Sequence, residues 1–259
     1  MSRNPKIEFD QLQMYFGEPY EIDLESAIGK ITVYQPTIGD IVRLGEKKFN
    51  STLNIFTTNT TANRLELWRN KIDWNEISDF TLFCMLYRGI DYKASFLIFK
   101  DLDFSDFEPI GKIVDGVETV ILYNEKLDIE INEDVYQHMC QYLRNVINTF
   151  PEEKITHDPI MKKWFINKDE RQLNIEKEKA EKGLLDSSTI QPLISACINH
   201  PGFKYKLHEL KEVGICEFYD SVKRLQIYEN TTALMKGMYS GMIDSKKINP
   251  EDYNFMKKI

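Results

Sequence analysis

The sequence predicts an α+β protein, predominantly helical, with short strands and a hairpin in a mixed N-terminal region and helices alone in the C-terminal region. Three observations predict it. Val135, Met139, Leu143, Val146 and Ile147 repeat at helical spacing, and so do Ile190, Leu193, Ile194, Cys197 and Ile198. Leu127-Asp128-Ile129-Glu130-Ile131 alternates apolar and polar, the period of a strand with one wet face. The hydrophobic share of 42% and aromatic share of 12% over 259 residues suffice for a packed core and exclude a largely disordered chain, which could not offset its ordering entropy.

Taken in order, Tyr15-Phe16-Gly17-Glu18-Pro19-Tyr20 is an aromatic turn. Gly29 to Tyr34 is β-branched and alternating, hence a strand, ended by Pro36. Thr37 and Asp40 stand as a variant capping box ahead of a helix over Ile38 to Phe49. Residues 51–88 read as mostly helical, broken at 57–61 by Thr and Asn, whose side chains compete for backbone bonds. Trp68, Ile72, Phe80, Phe83, Cys84 and Leu86 are expected in the core. Residues 94–99, 119–123 and 127–131 are strands or short buried segments, the last two joined as a hairpin through Asn124-Glu125-Lys126. Asn132 caps the helix that carries Val135 to Ile147.

From Pro151 to about Lys182 the chain turns into mixed charge, which suits a solvated helix or a mobile connection equally. Ser187-Ser188-Thr189 forms a capping cluster before the helix from Ile190, which Pro201-Gly202 breaks. A long helix follows Gly214 with Ile215, Phe218, Tyr219, Val222, Leu225 and Leu234 on its apolar face, and Pro250 separates it from a short tail. The expected organisation is therefore a mixed region over 1–150, a charged connecting segment over 151–186 and a helical region over 187–259.

Charge and motifs narrow the function. A net charge of −8 without a Lys/Arg stripe argues against nucleic acid as partner, since neutralising phosphates takes a basic face. Cys84, Cys140, Cys197 and Cys216 lie far apart among apolar neighbours and read as free core thiols of a reducing compartment. The chain turns acidic directly after its start and nowhere approaches the roughly 20 apolar residues of a membrane span, so no export signal and no membrane anchor are expected.

His138, His157, His200 and His208 form no metal-ligand pattern; Cys197 with His200 reads as a buried thiol and a helix-end histidine. No phosphate-binding glycine loop and no nucleophile elbow occurs. Asp101, Asp103 and Asp106 beside Phe104 and Phe107 read as a loop anchored by its aromatics. No catalytic residue, metal ligand or cofactor is assigned, and the chain is expected to act by binding proteins. Gly237 and Gly241 suggest close helix packing. The residues assigned to partner binding are Met235, Met238, Tyr239 and Met242, because flexible thioethers suit an adaptable surface if they are exposed.

Four strings together carry a resemblance: Tyr15-Phe16-Gly17-Glu18-Pro19-Tyr20, Gln35-Pro36-Thr37-Ile38-Gly39-Asp40-Ile41, His200-Pro201-Gly202-Phe203-Lys204-Tyr205 and Tyr239-Ser240-Gly241-Met242-Ile243-Asp244. They resemble proteins encoded in the tail-morphogenesis regions of phages and prophages of Gram-positive bacteria, described as tail or baseplate-hub assembly chaperones. The resemblance implies a factor of the host cytoplasm that holds a tape-measure or hub protein until assembly, with no catalytic residues to carry over. The alternative it leaves is a structural virion protein of the tail, baseplate or head-tail connector.

Overall fold

The computed structural model describes residues 6–114, 117–184, 188–244, 246 and 248–257. The fold is α+β. In the N-terminal half, α1 (Gln11–Tyr15) precedes an antiparallel ribbon of β1 (Tyr20–Ile22) and β2 (Ile31–Val33), with Tyr20 opposite Val33. Four helices follow: α2 (Ile38–Leu44), α3 (Glu46–Thr57), α4 (Arg64–Arg69) and α5 (Asp79–Leu86). After α6 (Tyr92–Phe99) comes a three-stranded antiparallel sheet of β3 (Glu108–Val114), β4 (Val117–Asn124) and β5 (Ile129–Ile131), then α7 (Glu133–Val146). The remainder is helical, with α8 (Pro159–Glu181), α9 (Ile190–Ile198) and α10 (Ile215–Tyr239).

Local chemistry sets most of these boundaries. Thr37 and Asp40 complete the predicted capping box: the Asp40 N–H donates to Thr37 Oγ1 at 3.1 Å and the Thr37 N–H to Asp40 Oδ2 at 3.0 Å. The helix expected over 38–49 is in fact two, because Gly45 takes φ 101°, a conformation open to glycine and costly for other residues, and turns the chain between α2 and α3. The break at 57–61 is held from a distance: buried Arg144 of α7 donates to the Thr57 and Thr58 carbonyls at 2.8 and 2.6 Å, satisfying the open end of α3. The hairpin between β4 and β5 turns on buried Asn124, whose Oδ1 accepts from the Lys126 and Leu127 N–H groups.

Residues 94–99 form a helix and no strand: Asp91 caps it through the Ala94 N–H, and Ala94, Ser95, Ile98 and Phe99 are buried while Phe96 stays exposed. Strand β3 was not foreseen; Pro109 and Gly111 interrupt its pattern, yet it pairs with β4 from Glu108 opposite Tyr123 to Val114 opposite Val117. Trp68, expected inside, is 42% exposed, and Trp74 takes the buried place with its Nε1–H donating to the Lys154 carbonyl.

The main core runs from Met14 to Phe218 in sequence. At its centre Phe56 meets Phe83, Phe99 and Phe104 with ring centroids 5.0–5.5 Å apart, and Phe83 stacks on Tyr136 at 4.9 Å. Truncating any one of these rings to alanine should cost about 3–5 kcal/mol. The C-terminal third joins this core: Ile38 N–H donates to the Val213 carbonyl and Ile215 N–H to the Pro36 carbonyl, while Leu210, Val213, Ile215 and Phe218 are buried. A smaller cluster of Leu67, Trp74, Leu82 and Ile166 seats α8. From Pro159 to Glu181 the charged tract is thus a 23-residue helix, tied down by the fork of Arg64 on Asp169 at 2.5 and 2.6 Å and by an ion pair of Lys162 with Asp73.

Candidate partner-binding surfaces

Two apolar surfaces stand out, one between the two halves of the chain and one on the C-terminal half. The first is a groove of about 900 Å³ between α2, α9 and the turn at 207–212. Its geometry follows from two close contacts. Gly39 lets α2 lie against the Lys211 carbonyl, where a Cβ would come within 2.5 Å of that oxygen. Glu46, the first residue of α3, then fixes the start of α9: its carboxylate accepts from the Thr189 N–H at 2.7 Å, the Ile190 N–H at 2.9 Å and the Thr189 hydroxyl at 2.5 Å, and also from the Ser188 hydroxyl. Burial alone would raise this carboxyl, but the hydrogen bonds from Ser188, Thr189 and Ile190 outweigh it and hold Glu46 below the usual carboxylate range. Of the predicted capping cluster, Ser188 acts, accepting from the Gln191 N–H at 2.9 Å, whereas Ser187 lies outside the described residues. Ile38, Ile190 and Leu210 floor the groove, and Val42 and Leu207 stand exposed on its rim.

The second surface is the end of α10, where the sequence placed Met235, Met238, Tyr239 and Met242. Tyr239 and Met242 are 83% and 86% exposed, Met235 is exposed and Met238 is half-buried. Among the described residues no other helix packs against Gly237 or Gly241. Gly241, at φ 73°, closes α10 with the Met242 N–H donating to the Gly237 carbonyl and its own N–H to Met238, and Ile243 folds onto Gly237. The tail runs back along α10, held by Arg224 donating to the Phe255 and Lys257 carbonyls at 2.7 and 2.9 Å, and it leaves Met256 exposed. None of the four predicted residues lines the groove between α2 and α9. Sequence reasoning passed over that groove, although the capping box of α2 and the Ile190 stripe that form its two walls were both visible.

Several of the titratable residues have structural partners. His138 lies 2.5 Å from the Tyr20 hydroxyl and stacks on its ring, and burial lowers its pKa. His200 meets Glu229 at 3.0 Å while Cys197 is buried. Asp103 caps the turn at Ser105 and Asp106 pairs with Lys126, with Phe104 and Phe107 buried beneath. All four cysteines are free, and burial pushes Cys84, Cys140 and Cys216 up to about 11. Among the described residues no three His, Cys, Asp or Glu side chains come together as a metal site, and no helix is long and apolar enough to cross a membrane.

Residues 177–259 match the family model of the YomV second domain, a phage-derived protein family, which relates this part of the chain to phage proteins. The match takes in the end of α8, α9, α10 and the tail, and so includes one wall of the groove and the whole Met/Tyr surface. No curated protein and no solved structure matches the chain.

Proposed function

We propose that this chain is a non-enzymatic phage morphogenesis protein, a tail or baseplate-hub assembly chaperone that holds a tape-measure or hub protein in the host cytoplasm before assembly. The observation that carries the reading is the match of residues 177–259 to a phage-derived family, in a region that also presents exposed Met and Tyr side chains. An aggregation-prone client offers an apolar helix face. Met235, Tyr239 and Met242, or the rim of Val42 and Leu207, would cover such a face while the client is unassembled. Thioethers adapt to several client shapes, which suits a transient holder better than a permanent subunit.

The test is co-expression with the tape-measure protein and, separately, with the hub protein of the same phage. One of the two is expected to remain soluble as a complex with this chain. Met242→Asp with Tyr239→Asp should weaken that complex roughly tenfold or more, as hot-spot truncations do, while the urea midpoint of the chain alone stays put. Clients that are equally soluble without the chain, and form no complex with it, would remove the chaperone reading and leave the structural virion protein in its place.

A further inference from the structure

The N-terminal half carries a groove that the morphogenesis reading does not use. It measures about 600 Å³ and lies between α5, the start of α7 and β4. Its lining is mainly apolar, with Phe80, Met85 and Val120 among the side chains, and Met85 and Val120 are about half exposed. Room for a few large apolar side chains and no buried polar group to satisfy them describes an anchor site for a protein segment.

The charge at this groove is one-sided. Glu118, Glu133 and Asp134 line it, all three are exposed, and among the described residues no Lys or Arg does. The cations on the surrounding elements are already engaged. Lys112 of β3 pairs with buried Glu130 at 2.6 Å, Arg144 of α7 serves the Thr57 and Thr58 carbonyls, and Lys30, beyond the Ser26 edge, pairs with Asp23. The N-termini of α5 and α7 both point here, but each is capped from within, Ser78 accepting from the Thr81 N–H and Asn132 from the Val135 N–H. Partial loss of water raises the Glu133 carboxyl, a hydrogen bond with Ser78 opposes the rise and the Asp134 and Asp79 carboxylates add to it, so a partner cation would relieve the carboxylate repulsion.

We infer that this groove docks a basic amphipathic helix of a partner protein, its apolar face anchored on Phe80, Met85 and Val120 and its Lys or Arg residues meeting Glu118, Glu133 and Asp134. The inference goes beyond the morphogenesis reading and does not rest on it: the groove lies outside the residues matched to the phage family. Apolar anchors supply the affinity, and opposite charge supplies the on-rate and the choice of partner.

The experiment is selection of a random 16-residue peptide library on the immobilised full chain, followed by affinity measurement of the enriched peptides against four proteins. These are the unaltered chain, Glu118→Lys with Asp134→Lys, Met85→Asp, and Ile160→Asp as a control at the exposed start of α8. All altered side chains are exposed, and circular dichroism checks that each protein folds. Enriched peptides should carry a net positive charge and apolar residues at helical spacing. They should bind the charge-reversed and Met85→Asp proteins about tenfold more weakly, and the control unchanged. Enrichment without a basic bias, or equal affinity for all four proteins, overturns the inference. Loss confined to Ile160→Asp overturns it too, and would instead place binding at the start of α8.

Discussion

Removing the Glu46 carboxylate should loosen α9 and measurably destabilise the protein. Glu46 takes hydrogen bonds from two backbone N–H groups and two hydroxyls at the start of α9, at a position only partly exposed. Loss of an N-terminal cap costs about 0.5–2 kcal/mol, and a negative charge at a helix N-terminus adds about 0.3–1 kcal/mol before solvent screening reduces it. Glu46→Ala should therefore cost about 2 kcal/mol and Glu46→Gln, which keeps an acceptor but no charge, about 1 kcal/mol. In a chain of this size that is roughly 4–8 °C and 2–4 °C in Tm.

Urea unfolding gives the free energies, and hydrogen exchange at Ile190 and Gln191 shows where they act. Because the hydrogen bonds hold the folded Glu46 carboxyl below its ordinary value of 4.5, its contribution is present above that pH and is lost as pH falls through the folded pKa. The difference between the unaltered protein and Glu46→Gln should accordingly close on acidification below about pH 4.5. A loss under about 0.5 kcal/mol for Glu46→Ala, with exchange at Ile190 unchanged, would refute the clamp.

Three further outcomes follow from the packing. Gly39→Ala should cost about 2 kcal/mol or more by driving a Cβ into the Lys211 carbonyl, and urea unfolding will show it. Arg144→Met should cost about 3–5 kcal/mol, since it strips the Thr57 and Thr58 carbonyls of their donor and leaves Asp79 without the guanidinium 3.7 Å away. With their thiols pushed up to about 11, Cys84, Cys140 and Cys216 should label slowly with a thiol reagent at pH 8 in the folded protein and rapidly in 6 M guanidinium chloride at roughly the denaturing strengths used for hyperstable domains.

Where one local rule decided the structure, the sequence showed it. The Thr37/Asp40 box, the Asn132 cap and the Val135 to Val146 stripe are all in place, as is the hairpin at Asn124. Where two rules competed, the reading was open or wrong. A short apolar run such as 94–99 has no period to separate helix from strand, and the deciding signal was Asp91 three residues before Ala94. The charged tract could be settled only by partners about a hundred residues away, Arg64 with Asp169 and Lys162 with Asp73. Trp68 and Trp74 look alike in sequence, and what separates them is tertiary: Trp74 packs with Leu67, Leu82 and Ile166 and its Nε1–H reaches the Lys154 carbonyl. The Met/Tyr residues of the α10 end were singled out by residue type, and Met235, Tyr239 and Met242 are exposed, whereas both grooves depend on contacts between distant segments that no spacing records.

The central claim is that this chain serves assembly and then leaves. It is tested most directly by quantitative mass spectrometry of purified phage particles beside the infected-cell lysate. The account predicts that the chain is abundant in the lysate, in complex with a tape-measure or hub protein, and absent from finished particles. A fixed copy number in finished particles would contradict it and make the chain a structural component of the virion.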